Sequence, residues 1–345
     1  MKTILITGGA GFIGSAFTHY IYKKYPEYKI IVVDALTYAG SIENFPVPIW
    51  KENFDHRFEF WYGNVMNGEL IDTLVSQSDF VVHFAAESHV TRSIYDNTQF
   101  FQTDVIGTQI VANGVCKYMD KVQRLIHISS SEIYGTALYD KMDEEHPINP
   151  MSPYAAAKAG ADRLVYSYWK TYKIPAVIVR PFNNYGPRQH LEKVIPRFIT
   201  SAILNEQLRV HGNGNSARDF IFVEDNCEAI DKILHAPDDK VLGEVFNIGS
   251  GQHRSILSIA EDILSRMCPN RECLIHVGDR PGQVLRHTSD TSKIEKAIGW
   301  KPQTSWESGL EQTIKWYINN EEWWKKMFWL REIPIVSASG KREMH

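Results

Sequence analysis

Cysteine is scarce in this sequence, basic charge is in slight deficit, and no apolar run is long. Each shortage removes a class of function. The four cysteines (Cys116, Cys227, Cys268 and Cys273) match no paired metal-ligand spacing, so no metal site is expected, and they read as core or incidental residues of a protein in the reducing cytoplasm. Lys and Arg number 37 against 41 Asp and Glu, a formal net charge of −4, which leaves no basic field to hold a nucleic-acid backbone or an anionic membrane. Any phosphate group must then be held by local contacts. The opening "MKTILITGG" reads as a strand followed by glycines, too short in its apolar part to cross a bilayer and unlike a signal peptide. Repeats and low-complexity tracts are also missing.

Hydrophobic residues, by contrast, make up 43% of the chain, enough for a large core. Short apolar runs recur in the first half: "TILIT", "KIIVVD", "FEFWYGNV", "FVVHFAA", "RLIHISS" and "PAVIVRPF". Stretches of helical spacing lie between most of them, as in residues 13–22 and 101–118. Strands that are apolar throughout and alternate with helices predict an α/β fold, a doubly wound parallel sheet covered on both faces. The expected division is a dinucleotide-binding domain over 1–185, a smaller C-terminal substrate-binding lobe over 186–330 from which some segments return to the first domain, and a polar tail over 331–345. Past residue 185 the pattern loosens into loops such as "GNGNSARDF", "VFNIGSGQ" and "GDRPGQVLRH". Residues 306–329 read as one helix with its tryptophans mostly on one side, packed on the core.

"TGGAGFIGS" places Gly8, Gly11 and Gly14 between the first strand and a helix that opens with Phe12 and Ile13. Glycines let the backbone turn sharply and approach a diphosphate, and the helix N-terminus offers N–H groups and a positive dipole end. Asp34 closes the second strand 20 residues beyond Gly14. A carboxylate there accepts the hydroxyls of an adenine ribose and repels a 2′-phosphate, so NAD is favoured over NADP. Asn64 and Val65, after the third strand, are expected near the adenine. Ala85 and Ala86, after the fourth, are expected beside the cofactor phosphates and ribose.

"HISSSEIYG" sets three hydroxyls and a carboxylate at the end of an apolar strand, and downstream "SPYAAAKAG" holds Tyr154 and Lys158 four residues apart, on one face of a helix. A phenol titrates near 10 and is a poor base at neutral pH until a neighbouring cation favours its ionised form. Lys158 can be that cation, and Ser130 can share the substrate oxygen. With a dinucleotide loop, these groups suit removal of a proton from an alcohol whose carbon gives hydride to NAD.

These residues, together with "AAESHVTRSI", "SSSEIYG", "NNYGPRQHLEKVIPRFI", "ARDFIFVEDN" and "DRPGQVLRHTSDTSKIEKAIGWKP", make the chain resemble the extended short-chain dehydrogenases/reductases, and among them the nucleotide-sugar 4,6-dehydratases, over roughly residues 1–325. The resemblance implies a Rossmann domain with bound NAD, a nucleotide-diphosphate sugar substrate, a role in deoxysugar biosynthesis and a homodimer. It also implies catalytic roles for Ser130, Ser131, Glu132, Tyr154 and Lys158, with the last two also touching the cofactor. Ser88, His89, Asn184, Lys193, Arg218, Asn247 and Arg286 fall where the family holds the sugar nucleotide. Glu132 would remove the C5 proton once C4 is a ketone.

The chain departs from the dTDP-glucose members of the family at three places. Ser130 and Ser131 stand where those enzymes read Thr-Asp, so the carboxyl group that protonates the departing C6 hydroxyl is gone; the GDP-mannose branch, with Thr-Ser-Glu, manages without it. Thr91 replaces an aspartate, and His287 stands where tyrosine is common. A UDP-glucuronate decarboxylase, which needs no acid at C6, is the nearest alternative. A 4-epimerase needs no base at Glu132, and a non-catalytic NAD-binding protein has no use for Tyr154, Lys158 and Ser130 together.

Overall fold

The computed structural model describes residues 1–49, 55–268, 273–278 and 284–332, and the backbone of Pro334–Val336 and Arg342–Met344. The anticipated "DRPG" (residues 279–282) lies outside the described residues.

The early apolar runs form strands β1 (Thr3–Thr7), β2 (Lys29–Asp34), β3 (Phe58–Tyr62), β4 (Phe80–His83), β5 (Arg124–Ile128) and β6 (Ala176–Pro181). Between them lie α1 (Phe12–Lys24), α2 (Gly68–Ser76), α3 (Val90–Tyr95), α4 (Thr98–Phe100), α5 (Thr108–Lys117) and α6 (Pro153–Tyr172). The second half adds β7 (Asn183–Tyr185), α7 (Val194–Ile203), β8 (Leu208–His211), β9 (Ala217–Phe222), α8 (Val223–His235), α9 (Asp238–Val241), β10 (Val245–Ile248), β11 (His253–Ser255), α10 (Ile256–Met267), β12 (Leu274–Val277), α11 (Ser292–Ile298), α12 (Trp306–Asn319) and α13 (Glu321–Lys325).

Seven strands pair in parallel in the order β10-β6-β5-β4-β1-β2-β3. Strand periodicity sends alternate residues to opposite faces. Ile4 and Ile6 join Phe17 and Ile21 of α1 and Ile230 and Ile233 of α8 on one side, whereas Leu5 joins Ile71, Leu74, Val111 and Val115 of α2 and α5 on the other. The order reverses between β1 and β4, which opens the crevice where such sheets take ligands.

"VFNIG" is not a loop of the second lobe: it is β10, an edge strand of the large sheet beside β6. The second lobe proper contains the three-stranded sheet β11-β9-β7 and the pair β12-β8, packed with α7, α10 and α12 around Phe198, Ile259, Leu310 and Tyr317. Residues 306–325 form two helices, broken at Asn320 (φ −126°, ψ 42°). Trp306 and Trp324 are buried in this core, as expected, while Trp329 is exposed. The helix expected over 101–118 is likewise interrupted: Phe101–Gly107 is π-helical and only then does α5 begin.

Candidate functional site

One groove runs over the C-terminal ends of β1, β2, β4 and β5, from Asp34 to Asn184 and Lys193. Its glycines differ in what demands them. Gly8 has φ +69°, and a Cβ there would lie 2.6 Å from the Ala85 nitrogen; a Cβ on Gly14 would lie 2.2 Å from the Gly8 oxygen. Both are needed for backbone packing. Gly11 has an ordinary φ of −76° and its Cβ would meet only the Gly8 oxygen, at 3.4 Å. Neither strain nor packing requires glycine there, so the space above it, at the start of α1, suits a bound diphosphate. Phe12, Ile13, Asn64, Val65, Ala85 and Ala86 line the same groove.

Asp34 accepts from the Ala10 N–H at 2.9 Å through one oxygen and from the Leu36 N–H at 2.8 Å through the other. Burial raises its carboxyl above the usual value, and these two bonds oppose the rise. Each oxygen keeps capacity for a ribose hydroxyl. The groove and its acidic terminus therefore fit NAD.

Strand β5 ends at Ile128, the buried Ser129 follows, and Ser130 then caps a single 3-10 turn, Ser131–Tyr134, by accepting from the Glu132 N–H at 3.2 Å. The turn aims Ser131 and Glu132 into the groove. Ser152 caps α6, Pro153 occupies its first turn, and Tyr154 and Lys158 follow on one face. The Ser130 hydroxyl hydrogen-bonds the Tyr154 phenol. Lys158 donates to the Ile128 carbonyl at 2.6 Å.

The electrostatics differ from the sequence expectation. Burial drives the Tyr154 phenol above its ordinary value, the Asp104 and Glu132 charges push the same way, and only Ser130 opposes them. Lys158, itself lowered by burial, has its charge engaged by Asp104 and Asp162. Asp104 escaped sequence reading because it lies in the π-helical segment. One of its oxygens accepts from the Glu87 N–H at 2.8 Å, and the other is buried without a partner. Burial pushes this carboxyl up to about 7.

The expected substrate residues divide. Asn184, Ser88 and Lys193 line the groove, and Lys193 donates to the Ser88 carbonyl at 2.9 Å. Arg218 stands 3.9 Å from Glu132 through Nε. Arg286 donates to the Asp140 and Tyr139 carbonyls at 2.9 and 2.6 Å and so braces the loop after the 3-10 turn. His89 caps α3 and is buried. Asn247 does not reach the groove. It lies in β10, fully buried, accepting from the Tyr134 phenol at 2.8 Å and donating to the Met142 carbonyl at 3.0 Å, a correction that follows from that strand belonging to the large sheet. Sequence reading also missed a cluster of Tyr38, Arg92 and Glu192, which no local spacing links.

A family model for GDP-mannose 4,6-dehydratase matches residues 5–313. The chain belongs to the nucleotide-sugar 4,6-dehydratase family of extended short-chain dehydrogenases/reductases. It is 43% identical over 319 residues to the low-salt glycan biosynthesis protein Agl12 of Haloferax volcanii, covering 92% of this chain and 99% of that one. It is 37% identical over 328 residues to dTDP-glucose 4,6-dehydratase of Streptomyces niveus, covering 94% and 95%. Among solved structures, DesIV, the dTDP-glucose 4,6-dehydratase of Streptomyces venezuelae with NAD and TYD bound, aligns with a TM-score of 0.88 at 37% identity, covering 94% of this chain and 99% of that one.

Proposed function

We propose that the protein is an NAD-dependent lyase that converts a nucleotide-diphosphate hexose to the 4-keto-6-deoxyhexose by oxidation at C4, loss of water across C5–C6 and reduction at C6. The observation that carries this reading is the convergence of Glu132 with Ser130, Tyr154 and Lys158 in the groove that also holds the glycine loop and Asp34. Held by the glycine loop and Asp34, NAD would supply the hydride acceptor for C4 and the hydride donor for C6.

The residues divide the proton work. Ser130 positions the C4 hydroxyl, and Tyr154 receives its proton at the phenol oxygen. Lys158, anchored on the Ile128 carbonyl, stands on the same helix face as Tyr154. Glu132 removes the C5 proton, made acidic by the ketone. Asn184, Lys193 and Arg218 hold the sugar nucleotide, arginine being suited to a diphosphate through its planar fork. Names of relatives favour dTDP-glucose as the first substrate to test.

We further propose a homodimer, supported by the apolar exposure of Phe101 and Ile106 on the π-helical segment and Tyr172 at the end of α6. A cytoplasmic location suits four cysteines that form no disulfide. None of the helices among the described residues is long and apolar enough to cross a membrane.

Incubation with dTDP-, UDP-, GDP- and CDP-glucose and GDP-mannose, followed by mass analysis, is expected to show loss of water. Unchanged mass would indicate epimerisation or no reaction, and loss of carbon dioxide from a UDP-glucuronate control would indicate a decarboxylase. Tyr154→Phe is expected to lower C4 oxidation by roughly 10² to 10⁴ with the fold intact.

A further inference from the structure

Glu132 stands beside two groups of different character, a guanidinium and an imidazole. Arg218 Nε lies 3.9 Å from its Oε1. His287 Nδ1 lies 3.9 Å from the same oxygen. The other ring nitrogen of His287 is 2.6 Å from the Gly135 carbonyl. A carbonyl only accepts, so Nε2 carries the proton and, in the neutral ring, Nδ1 presents a lone pair. Burial lowers the imidazole below its usual value, which keeps the neutral ring. Nδ1 has no hydrogen-bond partner, and the side chain is completely buried. An unsatisfied buried acceptor is costly, and a protonated Glu132 is a neighbour able to supply it with a donor.

The ring cannot easily turn away. The His287 N–H donates to the Ala217 carbonyl at 3.1 Å, and the next residue takes the Met142 N–H at 2.8 Å, so the segment is clamped between β9 and the loop that follows Gly135. The charged and titratable groups facing the imidazole are Glu132 from the 3-10 turn and Arg218 and Asp219 from β9; the Phe182 ring meets it edge-on at 6.1 Å.

We propose that His287 is a positioning residue that accepts the hydrogen bond of protonated Glu132 and so holds the proton between its removal from C5 and its delivery to the C6 oxygen. Breaking the C5–H bond moves the proton to Glu132 Oε1 and the electron pair into the C4 ketone as an enolate. The enolate pair then forms the C5–C6 double bond while the C6–O bond breaks, and oxygen leaves as water with the Glu132 proton. His287 neither gains nor loses a proton. This arrangement answers the lack of a carboxyl group at Ser131, because one carboxyl group serves as base and acid and the imidazole stabilises its acid form.

The inference rests on the dehydratase reading, and the test separates the two. Should wild-type protein dehydrate no nucleotide sugar, the functional reading fails. In His287→Phe, with wild-type dehydration established, C4 oxidation is expected to persist while solvent-deuterium exchange at C5 and dehydration both slow, the latter by about 10². A merely structural role would slow all three together, and that result overturns the proposal, as does dehydration at the wild-type rate. His287→Leu, smaller and equally unable to accept a hydrogen bond, decides the same outcomes should phenylalanine disrupt folding. Nitrogen NMR of ring-labelled protein, which needs no turnover, should show His287 protonated at Nε2 and bare at Nδ1; a proton on Nδ1 at neutral pH also overturns it.

Discussion

The Tyr38 phenol donates to the Glu192 carboxylate at 2.9 Å across a sequence separation of 154 residues. Arg92 reaches the other carboxylate oxygen through Nε at 3.0 Å, and its guanidinium lies 3.9 Å above the Tyr38 ring. These three residues tie the loop after β2, helix α3 and the segment after β7 around the groove. Glu192 is completely buried.

Burial alone would raise the Glu192 carboxyl, but the charges of His89, Lys193, His190 and Arg92 outweigh it and hold the group at about 2. A depressed carboxylate contributes stability that is fully present above its unfolded value of 4.5 and is lost as pH falls through about 2. Arg92→Ala is expected to cost about 2 to 3 kcal/mol at neutral pH, because it strands a buried carboxylate whose remaining cations only partly compensate. Denaturant unfolding at pH 7 and pH 3 checks this. The deficit should shrink at the lower pH, and an unchanged midpoint at pH 7 would contradict it.

At Asp34 the expected outcome concerns cofactor choice. Its two oxygens are fixed by the Ala10 and Leu36 N–H groups, so the carboxyl points at one place in the groove. Calorimetric titration should find NAD bound more tightly than NADP, and Asp34→Ala should narrow the gap by removing the repulsion of a 2′-phosphate. Equal affinities in the wild-type protein would refute the assignment.

Much of this was legible in the chain itself, and the exceptions have a common physical origin. Short runs that are apolar throughout mark β1 to β6, helical spacing marks α1, and the distance from the glycine loop to Asp34 is local. Tyr154 and Lys158 share a helix face whatever surrounds them. Asn247 was misplaced because "VFNIG" is short and bounded by glycine, and nothing local says which sheet it joins. Tyr38, Arg92 and Glu192 meet only through tertiary folding, and the bare Nδ1 of His287 depends on a carbonyl 152 residues away. Asp104 is hidden by the π-helical step, which shifts the face that a helical count assigns.

Asp104 should make stability depend on pH in the opposite sense from Glu192. Burial raises its carboxyl from 3.8 to about 7, against the Lys158 charge and the Glu87 N–H. Between these values the folded state binds more protons than the unfolded state, so stability falls as pH rises from about 4 to about 7. Asp104→Asn removes the titration while keeping an acceptor for Glu87. The part of the pH dependence specific to that window should disappear in the variant, measured by unfolding midpoints from pH 4 to pH 8. A variant that retains the wild-type slope would show that Asp104 is ionised in the folded protein throughout.

The elimination step offers the sharpest separation of roles, because Ser131 and Glu132 are adjacent in one turn and both face the groove. Ser131 has a hydroxyl that can orient the leaving oxygen but cannot act as a strong acid. Glu132 can remove the C5 proton and then deliver it. Glu132→Gln keeps the size and the backbone contact to Ser130 but is neither a useful base nor a useful acid. Rapid mixing with substrate should then show C4 oxidation proceeding, reduced cofactor building up, and dehydration falling by about 10² to 10⁴. Ser131→Ala removes one hydrogen bond, worth about 0.5 to 1.5 kcal/mol or up to roughly tenfold in rate. The two variants also differ at C5: solvent-deuterium exchange should cease in Glu132→Gln and continue in Ser131→Ala. If Ser131→Ala is as damaging as Glu132→Gln, or if Glu132→Gln still releases the 4-keto-6-deoxy product at the wild-type rate, the acid is another group and the single-carboxyl elimination is wrong.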